Sequence, residues 1–291
     1  MRRMNNDMDI GISINIFDNG YGRWKSEKYL KLKEHGFSCV DLNMSSTGTD
    51  IYRLPLKDAE ALLLREKRLA DEAGIRIHQS HGPWRSPIKD YLPEDRAERM
   101  DKMKRSIYLS ALLDCRYWVI HPIMPFGANE IGSEAASGTW ELNIEFMSEL
   151  LRYAKQNNIT ICLENVPMSG FSLAKPADVH RVVSAIDDDN FKMCLDTGHV
   201  SVFDGLSAGD CIRAYGNDIK VFHVHDNRHG KDLHLFPYFG VIDWADVGNA
   251  IKEIGFKGVF SLETAPSEKL NDELFGEMCI SLRKIAQQVL R

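Results

Sequence analysis

The chain has 291 residues, a formal net charge of −6, 44% hydrophobic and 27% charged residues, a composition ordinary for a globular protein long enough to bury a substantial core. The acidic balance gives no basic footprint for nucleic acid. No uncharged apolar run approaches the roughly 20 residues that span a bilayer, and the start, "MRRMNNDMDIGISINIF", lacks the apolar region and cleavage site of a signal peptide. Six scattered cysteines with no CxxC pair argue against a zinc ribbon or redox motif, so a reduced, cytoplasmic protein is expected.

Short β-like runs recur to the end of the chain. They predict strands at 10–17, 38–44, 75–81, 116–122, 159–165, 191–196, 219–225 and 258–263. Between them, apolar residues at three- and four-residue spacing mark helices, as in Ala59/Leu62/Leu63, Met100/Met103/Ile107 and Val247/Ala250/Ile251/Ile254. Gly36, Gly74 and Gly255 stand where helices should stop. Pro176, Ser207 with Asp210, and Asp243 with Asp246 stand where helices should start. The Gly/Ser-rich stretch 122–138 reads as a loop, of a length that compact domains keep for function or disorder. Eight β/α units without a composition break predict an α/β fold, a single (β/α)8 TIM barrel over 1–291, with its chemistry at the C-terminal ends of the strands. A doubly wound sheet is the competing fold, but its Gly-rich phosphate turn after the first strand is missing.

Six predicted strands carry a metal-binding side chain at that end: His81, His121, Glu164, Asp196, His223 and Glu263. One such histidine is ordinarily a satisfied core or surface residue. Six at equivalent positions are different, because three carboxylates buried together without a cation carry a high cost. A divalent metal is the simplest way to hold them close. Period-two alternation puts Cys162 and Cys194 one layer below Glu164 and Asp196, where free thiols act as small hydrophobes. By the same count His78 points away from His81, and His35 and His180 fall on helices without a role. His223 and His225 share a face; "TGH" brings His199 back to the mouth, and "DLH" supplies Asp232 and His234. Histidine with carboxylate and no thiolate suits manganese, cobalt, zinc or iron.

The motifs "SHGPW", "VIHP", "CLEN", "CLDTGHVSVFDG", "FHVHDN…DLH…GVIDW" and "SLET" occur in order and span most of the chain. Together they resemble the xylose isomerase-like TIM-barrel superfamily, which holds sugar and sugar-phosphate isomerases and epimerases as well as the DNA-repair enzyme endonuclease IV. Likeness to the epimerase branch implies one divalent metal (manganese, zinc or cobalt) on Glu164, Asp196, His223 and Glu263. His223 is preferred to His225 because the family's ligand stands three residues before an acid, here Asp226. Likeness to the endonuclease branch implies three zinc ions on nine ligands: those four with His81, His121, His199, Asp232 and His234. The chain departs from the repair enzyme at "ENVPMSGFS", where the latter has a Gln-Gly-rich run, and at "DTGH", where it has "DTCH". It departs from some epimerases at Gly170, where they carry a ketose-binding acid.

The resemblance therefore implies an isomerase or epimerase acting on a small-molecule sugar, with Glu164 and Glu263 as acid and base across the substrate. Trp84, His225 and Arg228 are candidates for the substrate pocket. Met168, Phe171, Phe126 and Trp244 are candidates for an apolar wall, although each is more readily a packing residue. Arg228 or Lys231 could meet a phosphate. By formal charge, one divalent ion leaves the site near about −1, which suits a neutral sugar, whereas three leave about +2, which suits a phosphodiester. The one basic cluster, "REKR" at 65–68, lies on a predicted outer helix, so a nucleic-acid partner is not expected. An oligomer is left open.

Overall fold

The computed structural model describes residues 8–84, 89–228 and 230–291, and His229 of the His-rich stretch lies outside them. Its parallel strands are β1 (Asp9–Ile14), β2 (Cys39–Asn43), β3 (Arg76–His81), β4 (Tyr117–Ile120), β5 (Thr160–Glu164), β6 (Phe191–Asp196), β7 (Ile219–His223) and β8 (Val259–Leu262). The helices are α1 (Lys28–Glu34), α2 (Asp50–Arg53), α3 (Leu56–Ala73), α4 (Pro93–Leu112), α5 (Ala135–Gln156), α6 (Pro176–Ile186), α7 (Thr197–Val200), α8 (Ala208–Tyr215), α9 (Trp244–Glu253) and α10 (Asp272–Val289).

Strands adjacent in sequence pair from β1 to β7, and β8 pairs with β1. The remaining gap is bridged just beyond β7. Val224 N–H donates to Ser261 O (2.8 Å) and Glu263 N–H donates to Val224 O (2.9 Å). The result is a nearly closed α/β TIM barrel, the fold the alternating elements predict.

Local chemistry sets the ends of the elements. β1 stops at Ile14 rather than 17, because Asn15 Oδ1 accepts the N–H of Phe17 (2.9 Å) and turns the chain. α3 ends at Gly74, which takes the left-handed conformation (φ 66°) open to glycine. Ser207, Asp243 and Asn271 cap α8, α9 and α10 with their side chains. The loop expected over 122–138 is shorter than its composition implies, since α5 begins at Ala135.

Two features of the barrel position the site. Val119, Cys162, Cys194 and Val221 form a fully buried cluster apart from the main core. Each stands two residues before His121, Glu164, Asp196 or His223, so the cluster is an apolar floor directly beneath them. The second feature is Asp226, buried at the root of the long β7–α9 loop. Its carboxylate accepts the N–H groups of Asn227, Gly240, Val241 and Ile242 and the indole N–H of Trp244 (2.8 Å). Next to it, Asn227 Oδ1 accepts the N–H groups of Leu233 and His234, and its Nδ2 donates to Asp232 Oδ1 (3.2 Å). The loop bearing Asp232 and His234 is thus folded around two polar side chains.

Replacing Asp226 by Ala removes the acceptor of the Asn227, Gly240 and Ile242 N–H groups and of the buried Trp244 indole, while Val241 N–H keeps a second acceptor, Asn227 O (3.0 Å). We expect Asp226→Ala to lose at least ~3 kcal/mol of stability, since each unsatisfied buried group costs about 1–3 kcal/mol. Urea unfolding of wild type and variant measures the difference.

Candidate functional site

At the C-terminal mouth, Glu164, Asp196, His223 and Glu263 offer ligand atoms that all lie within 4.8 Å of one another. His223 stands at the centre, its Nδ1 2.8 Å from Glu164 Oε1 and 3.4 Å from Glu263 Oε2. Two overlapping or adjacent groups meet the same distance limit: His81 with Glu164 and His223, and His199 with His225, Asp232 and His234. His121 joins through Glu164, its Nε2 3.0 Å from Oε2. All nine residues expected as ligands therefore converge, and His225 with them.

The orientation of the imidazoles is as informative as their positions. His81 donates from Nδ1 to Gly82 O (2.9 Å), His199 to Asn165 O (2.8 Å) and His234 to the Glu263 carbonyl (2.8 Å). In each the backbone holds the outer nitrogen, so Nε2 is the one turned to a carboxylate: Glu164 Oε2 at 3.3 Å for His81, and Asp232 Oδ2 at 3.4 Å for His199 and for His234. Anchoring one ring nitrogen to a carbonyl fixes which nitrogen is turned to the site, and a cation that displaces a proton there would find its lone pair already aimed. His234 holds its position with a left-handed backbone (φ 47°), an uncommon state for a non-glycine residue that the surrounding hydrogen bonds enforce.

Asp196 links strand end to loop. Its Oδ1 accepts the N–H of His199 (2.6 Å), capping the single turn α7 that returns His199 to the mouth. Asn165 ties β5 to β6 in both directions, accepting from Asp196 N–H (2.9 Å) and donating to Asp196 O (3.0 Å). Asp196 Oδ2 lies 3.0 Å from His225 Nε2. His225 reaches it because residue 198 has no side chain: a Cβ there would stand 2.0 Å from His225 Cε1. The ring then stacks on His234 with centroids 4.0 Å apart.

The fields in the cluster are strong. Burial opposes charge on Glu164, yet the His223 and His121 imidazoles outweigh it and hold the carboxyl well below its usual range. Burial pushes Glu263 the other way, and its carboxyl is raised. Burial also opposes charge on His199, but Asp196 and Asp232 push it up to about 10; at His234, Asp232 likewise overcomes burial, and the value is about 9. His121 is the exception: burial prevails over Glu164 and lowers it to about 4.

The donor set fits a divalent metal ion. Ligand bonds of about 2.0–2.2 Å span donor atoms no farther apart than about 4.4 Å, so the Glu164–Asp196–His223–Glu263 group needs little inward adjustment. Glu164 Oε2 and Glu263 Oε2 are buried, and the ion-pair partners near them among the described residues are imidazole nitrogens: His121 Nε2 (3.0 Å) and His81 Nε2 (3.3 Å) at the first, His223 Nδ1 (3.4 Å) and His234 Nδ1 (4.0 Å) at the second. Every ion-pair partner of Glu164 and Asp196 among the described residues is a histidine.

The remaining candidates divide. Trp84 sets its ring edge-on to His121 with centroids 4.7 Å apart, inside the site. Arg228 and Lys231 are both exposed, tied to each other by the Lys231 N–H donating to Arg228 O (3.0 Å). Phe171 and Trp244 are buried at 1% exposure, so they pack the core rather than line a pocket, and Phe126 is exposed. Asp41 was not anticipated. It is fully buried in mid-strand β2, and its Oδ2 lies 2.9 Å from His223 Nε2.

The model of the family described as xylose isomerase-like TIM barrel matches residues 30–283. The chain belongs to that family. It is 28% identical over 265 residues to an uncharacterized protein of Methanocaldococcus jannaschii, covering 88% of this chain and 84% of that protein. It is 24% identical over 261 residues to D-psicose 3-epimerase of Ruminiclostridium cellulolyticum, covering 84% and 81%. The fold matches the crystal structure of a D-tagatose 3-epimerase-like protein with a TM-score of 0.75 at 24% identity, covering 97% and 98% of the two chains. It matches that of 3-keto-D-glucoside 4-epimerase from E. coli with 0.74 at 16% identity, covering 95% and 99%.

Gly198→Ala should leave the barrel intact and expel the His225 ring from its place beside Asp196 and His234. A crystal structure of the variant with His225 Nε2 beyond hydrogen-bond reach of Asp196 is the expected result; an unmoved ring contradicts the steric account.

Proposed function

We propose that the protein is a divalent-metal-dependent isomerase or epimerase of a sugar or sugar phosphate, working by proton transfer through an enediolate. The observation that carries this reading is the pair Glu164 and Glu263, at the ends of β5 and β8, which meet at His223 Nδ1 and have only imidazoles as ion-pair partners among the described residues. The names of the related proteins, sugar 3-epimerases among them, support the same substrate class.

Glu164, Asp196, His223 and Glu263 would hold the ion, and bound there it would supply Lewis acidity to a carbonyl and the hydroxyl beside it. One glutamate removes the proton on the carbon next to the carbonyl, and the other returns it from the opposite face. The imidazoles not engaged by the ion are positioned to hydrogen-bond sugar hydroxyls, and Trp84 offers an apolar face beside His121. Substrate contacts at residue 170 differ from those of epimerases with an acid there. A Cβ on Gly170 would stand 2.2 Å from Asn129 Oδ1, and the Gly170 carbonyl already accepts the N–H groups of Glu130 and Ile131.

The nine converging donors favour a second reading, a trinuclear zinc phosphodiesterase like endonuclease IV acting on DNA or another phosphoester. Surface charge argues against the DNA substrate. In "REKR" on α3, Glu66 is buried against Lys28 (2.7 Å), and Lys67 is paired with Asp71 (2.9 Å) and Asp114 (3.0 Å), which leaves Arg65 and Arg68 as the exposed cations of a small cluster on an outer helix.

Elemental analysis of unstripped protein separates the two readings. About one divalent ion per chain, with activity lost on chelation and restored on reloading, is expected. Three zinc ions per chain with phosphoester cleavage would replace the first reading by the second. With a turned-over sugar in heavy water, deuterium should enter the carbon next to the carbonyl. Glu164→Gln and Glu263→Gln should each lower turnover at least ~10²-fold, the low end for losing a general acid or base. The metal content of each variant is measured beside its rate. Two variants that keep their metal and near wild-type rates would rule out the two-glutamate mechanism.

A further inference from the structure

His223 differs from the other anchored imidazoles. His81, His199 and His234 spend Nδ1 on a backbone carbonyl and turn Nε2 inward. His223 does the reverse: Nδ1 faces Glu164 and Glu263, while Nε2 points deeper into the barrel, where its partner is Asp41 Oδ2 at 2.9 Å. Asp41 is 0% exposed, and His223 is its one ion-pair partner among the described residues. Gln79 braces the arrangement, its Nε2 3.3 Å from both Asp41 Oδ2 and the Phe222 carbonyl, the residue before His223.

We propose that Asp41 is a positioning residue that sets which nitrogen His223 presents to the metal. A neutral imidazole has one N–H and one lone pair, and an ionised carboxylate only accepts hydrogen bonds. Carboxylates face both nitrogens, Glu164 at Nδ1 and Asp41 at Nε2; once a cation takes Nδ1 and Glu164, Asp41 keeps the remaining proton on Nε2, so that the lone pair is on Nδ1, the nitrogen that faces the donor group. Without that carboxylate, Nδ1–H is free to donate to Glu164 Oε1, and the lone pair is turned away from the site. The strand geometry gives the reason for the inversion. His223 ends β7 beside Asp196, and its outer nitrogen faces the interior side chains of β2 and β3 rather than a loop carbonyl. A buried acid in β2 supplies the acceptor that the backbone supplies to the other three rings.

The inference rests on the reading that this donor group holds a divalent ion. Its test uses the full chain labelled with 15N-histidine, with zinc as the probe. In Asp41→Asn the shape is kept, but the amide can donate to Nε2 and hold the opposite tautomer, as replacing a triad aspartate by asparagine does. Zinc affinity, measured against a chromophoric chelator, should fall about 10- to 100-fold, the usual cost of losing the partner behind a ligand. Long-range 1H–15N correlation spectra of zinc-loaded wild type should show His223 protonated on Nε2 and ligating through Nδ1; the metal-free variant should show the proton on Nδ1. Ligation through Nε2 in wild type, or zinc affinity in the variant within about twofold of wild type, would overturn the proposal. The wild-type spectrum decides the matter alone if Asp41→Asn does not fold. Failure of wild type to bind zinc would defeat the metal reading and this inference together, whereas equal binding by both proteins would defeat the inference only.

Discussion

The structure is organised around buried carboxylates whose only ionic partners are imidazoles. Glu164, Asp196 and Asp41 are fully buried, and no lysine or arginine among the described residues lies within ion-pair distance of any of them. An uncompensated carboxylate in such a setting is prohibitively costly. Lysine or arginine would neutralise it permanently. Histidine neutralises it conditionally, because a cation can take the imidazole lone pair and the carboxylate oxygen at once. A site that balances its charge this way is stable enough to fold and remains open to a metal ion.

The barrel makes that balance achievable. Parallel strands bring one side chain each to the same rim, and an apolar floor of Val119, Cys162, Cys194 and Val221 closes the space beneath. The rim alone would leave the rings free to turn. Four of the rings lose that freedom because the nitrogen turned from the donor group has a fixed acceptor: a carbonyl at residues 82, 165 and 263 for His81, His199 and His234, and the Asp41 carboxylate of strand β2 for His223. Asp226 and Asn227 then fold the β7–α9 loop so that Asp232 and His234 complete the outer group.

Much of this was legible in the sequence because periodicity is a strong signal. Alternation within a strand puts Glu164 above Cys162 and Asp196 above Cys194, and strand ends put six donors on one rim. What escaped depended on contacts between distant strands. Asp41 sits in mid-strand in "CVDLN", with no spacing that ties it to His223, 182 residues away. The entry of His225 depends on an absent Cβ at residue 198, which is a matter of steric fit rather than pattern. Asp41 also adds a carboxylate that a formal charge count over the strand-end residues leaves out, so the site is one unit more acidic than that count implies. Trp244 takes the packing role that was the readier reading of it, and sequence could not show the reason: its indole N–H is needed by Asp226 and the ring is buried.

The central claim is that these carboxylates and imidazoles converge to hold a divalent ion. Diffraction data collected at a metal absorption edge, from crystals of the full chain grown with manganese, cobalt or zinc, test it directly. An anomalous peak bounded by Glu164, Asp196, His223 and Glu263, with His223 Nδ1 drawn off Glu164 toward the ion, is the predicted result. No peak at that position in any of the three, with Glu164 still paired to His223, would contradict the account.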